Sequence, residues 1–216
     1  VRETAGKIVA NSRIFSPRAY FEAVDFLSSR FDSDLIRVHH GPMAPQWVEE
    51  DVLAEIKKAA DRSGKMLFTH VQQTPHQYLY GIKKYGKTLI EWMDGKGLLG
   101  RNVVLGHCVW VTRSDIERLA LSGTAVTHHP SCNLRVRNGI APVNEMLKAG
   151  VAVGVGTDDK ELGDDRDFIE EMRVASKMHR VPEYEPASQC PGTPDRFSMS
   201  SESGPRRPGL DSDTSV

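Results

Sequence analysis

Short apolar runs alternate with amphipathic stretches along the chain up to about residue 184. Five runs read as strands: Leu35–Val38, Met66–Thr69, Val103–Leu105, Ala125–Thr127 and Val151–Gly154. Between them, apolar residues recur at helical spacing. Val48–Ala60 places Val52, Leu53, Ile56 and the Ala59–Ala60 pair on one face. Thr88–Lys96 carries Leu89, Ile90, Trp92 and Met93. Ser114–Leu121 carries Ile116, Leu119 and Ala120, with Ser114 as the expected N-cap. Val143–Lys148 runs into Gly150, which predicts a C-terminal stop. Asp167–Met178 carries Phe168, Ile169, Met172, Val174 and Ala175. A further helical pattern covers Ala19–Leu27 without a clear strand pair beside it. Strands alternating with helices predict βα units and a parallel sheet.

Polar residues cluster where the strands end: His39-His40, His70, His107, His128-His129 and Asp158. Barrel enzymes place their chemistry at that edge. The rival architecture, an open doubly wound nucleotide-binding sheet, lacks the Gly-x-Gly-x-x-Gly turn that cradles phosphate. The expected fold is therefore α/β, a partial TIM-type (β/α)8 barrel. It is partial because a complete barrel takes about 250 residues. An incomplete barrel leaves open edges, which predicts either a fragment or a covering partner.

Glu185–Val216 breaks the pattern. Seven Ser, five Pro and three Gly leave few large apolar residues there. Such a segment cannot bury enough surface to offset its ordering entropy. The expected organisation is thus a barrel-type domain over 1–184 and a disordered tail over 185–216.

The whole chain has 216 residues, with 28 basic and 29 acidic side chains. That balance argues against a nucleic-acid partner, which calls for a basic face. No apolar run is long enough for a membrane span. Residues 1–20 show no signal-peptide core, which predicts a cytoplasmic protein. Cys108, Cys132 and Cys190 are widely spaced and suggest neither a disulfide framework nor a Cys-x-x-Cys metal site. An exposed sheet edge makes a homo-oligomer possible.

Three strand ends carry the candidate chemistry. His70 closes Met66-Leu-Phe-Thr-His70, His107 closes Val103-Val-Leu-Gly-His107, and Asp158 closes Val153-Gly-Val-Gly-Thr-Asp158. Neutral imidazole and carboxylate suit zinc or ferrous iron. Such a metal makes water acidic enough to ionise near neutral pH. Asp158 is then placed to bind metal and take a proton, and His107 to steady water or substrate. Other residues have plainer readings. His39 and His40 are adjacent, so at most one points inward. His76 and His179 read as surface or supporting residues. Cys108 and Cys132 read as buried small residues, with no basic neighbour to activate a thiolate. Asp164-Asp165-Arg166-Asp167 reads as a helix N-terminus. Trp47 and Trp110 read as core or pocket wall.

Several segments together resemble the amidohydrolase superfamily, in its branch of cytosine and guanine deaminases, triazine hydrolases and chlorohydrolases. They are His70-Val-Gln-Gln-Thr74, Leu105-Gly-His107-Cys-Val-Trp110, Val126-Thr-His128-His-Pro-Ser-Cys-Asn133 and Gly139-Ile-Ala-Pro-Val143. Ala149-Gly-Val-Ala-Val-Gly-Val-Gly-Thr-Asp158 and Asp164-Asp-Arg-Asp-Phe-Ile-Glu-Glu-Met-Arg173 complete the ordered set. The resemblance implies a metal-dependent barrel hydrolase that acts on carbon–nitrogen or carbon–halogen bonds of a small N-heterocycle. His70 matches a metal ligand. His107 matches the histidine that meets water and substrate. Asp158 matches the aspartate that binds metal and moves protons. His128 matches a substrate-pocket histidine, and Asn133 the residue that shapes that loop. The implied cofactor is a divalent metal, zinc before iron.

The chain departs from this family in two places. Gln73 stands where the family usually has a glutamate that protonates the ring. Glutamine can hydrogen-bond a ring nitrogen but cannot deliver a proton at pH 7. The family's His-x-His pair is also absent, so the chain resembles the C-terminal part of such an enzyme. This leaves two expectations. One is a deaminase or related hydrolase in which Asp158, His107 and Gln73 carry catalysis. The other is a truncated half-barrel, inactive alone, that works only with a partner chain if at all.

Overall fold

A computed structural model describes residues 16–159 and 167–180. The expected tail, Cys190, and Asp164 to Arg166 lie outside the described residues. The chain divides into two units between His40 and Gly41.

The first unit carries helix α1, Pro17–Phe31. Ser16 caps it by accepting the Ala19 N–H, and Pro17 pre-sets the first turn. The strand expected at Leu35–Val38 does not form. Ser33 Oγ accepts the Ile36 N–H and Asp32 Oδ1 accepts the Val38 N–H, so side chains take the donors that a ladder needs. Leu35 is left 96% exposed. His40 is buried, with its ring against Tyr20 and Phe21 and its Nδ1 3.2 Å from Tyr20 Oη.

The second unit opens with a short 3-10 turn, Pro45–Trp47, and helix α2, Glu50–Ser63. Strand β1 is Leu67–Val71, followed by α3, Pro75–Tyr85, and α4, Leu89–Gly95. Strand β2, Val103–His107, leads into α5, Arg113–Ser122. Strand β3, Ala125–His128, is followed by α6, Pro130–Arg135, and α7, Val143–Lys148. Strand β4, Val153–Val155, and α8, Phe168–Met178, complete the described elements.

The four strands are parallel and lie in chain order, β1-β2-β3-β4. A doubly wound sheet reverses its strand order at a switch point. Among the described strands no reversal occurs, so this is the sequential progression of a barrel. The register aligns Phe68, Val104 and Ala125 in one row and His70, Gly106, Thr127 and Gly154 in another. Both rows belong to one face of the sheet. Leu67, Thr69 and Val71 point the opposite way and are buried. Helix α2 packs on β1, and α7 and α8 pack on β4.

Most helices follow their apolar spacing. Thr88 caps α4 by accepting the Glu91 N–H. Helix α5 starts earlier than the Ser114 cap expected: Thr112 and Asp115 form a reciprocal capping box. Gly150, at φ +83, closes α7, with Val151 N–H donating to Met146 O as in a Schellman turn. Helix α3 was not legible, since Tyr78, Tyr80 and Gly81 weaken its propensity. Packing decides there. A Cβ on Gly81 would lie 2.9 Å from Leu89 N and Lys87 O, so only glycine admits the next segment this closely.

Two strand positions of different burial predict different sensitivities. Leu105→Ala, at a fully buried site, should lower the unfolding free energy by about 2–5 kcal/mol in urea titration. Phe68→Ala, at a side chain 38% exposed, should cost clearly less. Equal losses would contradict this difference in burial.

Candidate metal centre

His70 comes from the inner row of β1. Its Nδ1 lies 2.7 Å from Met43 O, and its backbone N–H donates to the same carbonyl at 3.1 Å. A carbonyl only accepts, so Nδ1 carries the proton and Nε2 presents its lone pair. The neighbouring position is Gly106, where a Cβ would stand 3.3 Å from His70 Cδ2.

His107 pairs with Val71, whose row faces away from His70. It reaches the inner side because the backbone leaves β geometry: His107 has φ +69 and Cys108 φ +46. The His107 ring then lies 5.3 Å from the His70 ring. Its Nδ1 is 3.0 Å from Asn133 Oδ1, and its Nε2 is 3.5 Å from Asp158 Oδ2. Asp158 also sits at positive φ, +61, after Gly156 and Thr157. Gln72, at φ +49, turns the chain after β1. Left-handed non-glycine residues therefore gather where these strands end, and such backbone costs about 1–3 kcal/mol each unless the surroundings enforce it.

The surroundings do enforce it. Gln72 Nε2 donates to Trp110 O at 2.6 Å, and Gln72 Oε1 accepts the Ile90 N–H at 3.1 Å. Buried Asp115 accepts from Thr88 Oγ1 and from the Thr112 N–H. These bonds tie the turn after β1 to α4 and α5.

The outcome is one compact donor set. Ligating atoms of His70, His107 and Asp158 all lie within 4.8 Å of one another, the one such group among the described residues. Burial, then the His129 imidazole, pushes the His107 pKa down to about 4, so its ring is neutral at pH 7. Burial opposes ionisation of Asp158. The Cys132 thiol beside it, His129, the Asp159 amide and His107 outweigh that burial and hold the carboxyl below its ordinary range. Asp158 Oδ2 is buried without a hydrogen-bond partner. Imidazole nitrogens and a carboxylate are the ligand chemistry of zinc and ferrous iron, and the orphaned Asp158 oxygen fits a cation.

The other expected site residues lie elsewhere. Gln73 is half-buried beside Gln72, with its backbone N–H donating to Gln77 Oε1 at 2.6 Å. Asn133 is fully buried on the edge of His107 opposite Asp158. His128 is fully buried and faces the other side, with Nε2 2.9 Å from His179 Nε2. Neither Asn133 nor His128 is an open pocket wall in this structure. His179, at the C-cap of α8, supports His128, whereas His76 is exposed. Cys108 and Cys132 are fully buried, and burial pushes the Cys132 thiol up to about 12, so it stays protonated. Trp47 and Trp110 are 63% and 42% exposed, which removes the core half of the expectation that they are core or pocket wall.

Sequence reasoning missed His129. Its ring lies 4.6 Å from that of His107, and its Nε2 lies 3.1 Å from Thr127 Oγ1. A Cβ at Gly156 would stand 2.9 Å from His129 Cε1, so this glycine makes room for the ring. The signal was strand alternation: His128 and His129 face opposite sides, and Thr127 shares the inner row with His70.

The sequence profile described as "Amidohydrolase family" matches residues 22–215, and the chain belongs to that family. A 5′-deoxyadenosine deaminase of Methanopyrus kandleri is 38% identical over 154 residues, 71% of this chain and 36% of that protein. A 5-methylthioadenosine/S-adenosylhomocysteine deaminase of Thermococcus onnurineus is 34% identical over 179 residues, 83% of this chain and 42% of that protein. The chain thus spans about two fifths of the length of these curated relatives. Among solved structures, a zinc-bound adenosine deaminase from Xanthomonas campestris superposes with a TM-score of 0.72 at 25% identity, over 74% of this chain and 37% of that one. The zinc complex of atrazine chlorohydrolase from Arthrobacter aurescens gives a TM-score of 0.81 at 22% identity, over 87% of this chain and 42% of that one.

In the metal-free chain, burial lowers the pKa of His107, His128, His129 and His179. The unfolded state therefore binds protons that the folded state refuses. Stability should be complete above pH 6.5, the ordinary histidine value, and fall as pH drops toward 4, where folded His107 titrates. Urea midpoints measured across that window should decline steadily. A flat profile would contradict neutral, buried imidazoles.

Proposed function

We propose that this chain carries the metal-binding strand ends of a hydrolase that removes an amino group from a purine-type nucleoside. The observation that carries the reading is the convergence of His70, His107 and Asp158 within 4.8 Å. Three protein ligands with one open position is the number that catalytic zinc sites use. His70 and His107 would each offer Nε2, and Asp158 a carboxylate oxygen. The cation, zinc by preference, would supply Lewis acidity that brings the pKa of water toward 7.

The chain's own groups then divide the work. Asp158 accepts the proton of the attacking water and passes it to the departing nitrogen. Water oxygen bonds to the ring carbon, the carbon–nitrogen bond breaks, and ammonia leaves. His107, neutral and fixed at Nδ1 by Asn133, keeps its Nε2 turned toward the cation site. Gln73 offers an amide hydrogen bond to a ring nitrogen without providing a proton. The substrate class follows the relatives, whose names specify 5′-deoxyadenosine and 5-methylthioadenosine.

Elemental analysis after exhaustive dialysis, paired with ammonia release from adenosine-type nucleosides, tests this reading. About one zinc or iron per chain should be retained and should be lost in His70→Ala. Asp158→Asn should lower kcat by about 10²–10⁴-fold, the range for losing a general acid–base group. A chain that retains no metal and releases no ammonia would overturn the proposal and leave the half-barrel that needs a partner.

A further inference from the structure

His107 is gripped from behind by a line of residues outside the donor set. Asn133 Oδ1 faces His107 Nδ1 at 3.0 Å and also accepts Asn138 Nδ2–H at 3.1 Å. Asn138 in turn accepts Trp110 Nε1–H on its backbone oxygen at 2.7 Å. His107, Asn133 and Asn138 are 1%, 0% and 3% exposed, so water does not compete for these bonds.

The backbone delivers Asn138 to this position. Helix α6 ends in a Schellman-type turn: Asn138 N–H donates to Asn133 O at 2.9 Å, and Arg137 occupies the left-handed position at φ +58. The two asparagines are thus joined by main chain and by side chain. The other end of the line is anchored as well. Trp110 N–H donates to Gln72 O at 2.9 Å, and Trp110 O accepts Gln72 Nε2–H at 2.6 Å. Gly139, at φ +114, lets the segment pass close to Val109 and the Trp110 ring.

Such an arrangement has a chemical consequence. An amide oxygen that already receives Asn138 Nδ2–H is an acceptor and stays one. Turning the Asn133 amide over would set its NH2 against that donor. The atom facing Asn133 Oδ1 must therefore be a donor, so Nδ1 of His107 carries the proton and Nε2 is left with a lone pair.

We propose that Asn138, held by the Trp110 indole, is a positioning residue that fixes the Asn133 amide and thereby keeps His107 in the Nδ1–H form, with its Nε2 lone pair aimed at the cation site. This rests on the reading of His107 as a metal-site residue and adds the side chains that make it a ligand rather than a donor.

The test is a long-range 1H–15N spectrum of the histidine rings in the uniformly labelled, metal-free full chain, with His107→Gln to assign the signal. The wild-type ring should show the Nδ1–H tautomer. Asn138→Ala and Trp110→Phe should each convert it to a tautomer mixture and weaken zinc binding, read by chelator competition, by about 10–100-fold, the usual cost of losing an outer partner. Amide dispersion should stay unchanged. Trp110→Phe removes one N–H while keeping an aromatic ring, so it serves if Asn138→Ala does not fold. An Nε2–H tautomer in the wild type, or unchanged tautomer and zinc affinity in the folded variants, would overturn the inference. Absent deaminase activity with the Nδ1–H tautomer intact would instead count against the proposed reaction alone.

Discussion

Parallel pairing puts His70 level with Gly106, Thr127 and Gly154, and the rest of the site is built outward from that row. The row belongs to the same face as Phe68, Val104 and Ala125. A slip of one residue in any strand would move its half of the site to the opposite face. Small residues on the row matter for the same reason. Gly106 leaves space for the His70 ring, and Gly156, just past β4, does so for His129.

Pairing alone would not bring the donors together. His107 and Asp158 reach the inner side through left-handed backbone, which ordinary strand geometry forbids to bulky residues. Buried polar bonds among Gln72, Asp115, Thr88 and Trp110 hold the turn after β1, and Asn133 holds the His107 ring. Fold stability and donor geometry are therefore linked: the same bonds that satisfy buried polar groups also aim the site. The electrostatics agree. Burial keeps His107 and His129 neutral while Asp158 stays ionised, so these groups need release no proton to meet a cation.

Much of this was legible in the sequence. The apolar runs at Met66–Thr69, Val103–Leu105 and Ala125–Thr127 located three strands to within two residues at each end. The structure extends each into the histidine that follows; the backbone turns left-handed at Gln72 after β1 and at His107 where β2 ends. The run at Val151–Gly154 starts two residues early for the same kind of reason: Val151 N–H is taken by the α7 turn before the ladder begins. Leu35–Val38 looked like a strand but lost its donors to Ser33 and Asp32. Strand-end placement singled out His70, His107 and Asp158, whose ligating atoms the structure brings within 4.8 Å of one another. It could not rank His128 against His129, since the inward face depends on a register that only pairing reveals. The support around His107 was equally hidden. Asn138 is far from it in sequence and reaches it only through a helix six residues long, too short to show a period.

The proposed site requires that His70, His107 and Asp158 bind a single divalent cation. X-ray absorption of the zinc-loaded chain reads this directly. The expected spectrum shows two imidazole nitrogens at about 2.0–2.1 Å and oxygen neighbours at about 2.0–2.2 Å, with one imidazole signature lost in His70→Ala. Sulfur scattering at about 2.3 Å, pointing to the buried thiols, or a shell of oxygen without imidazole, would contradict it.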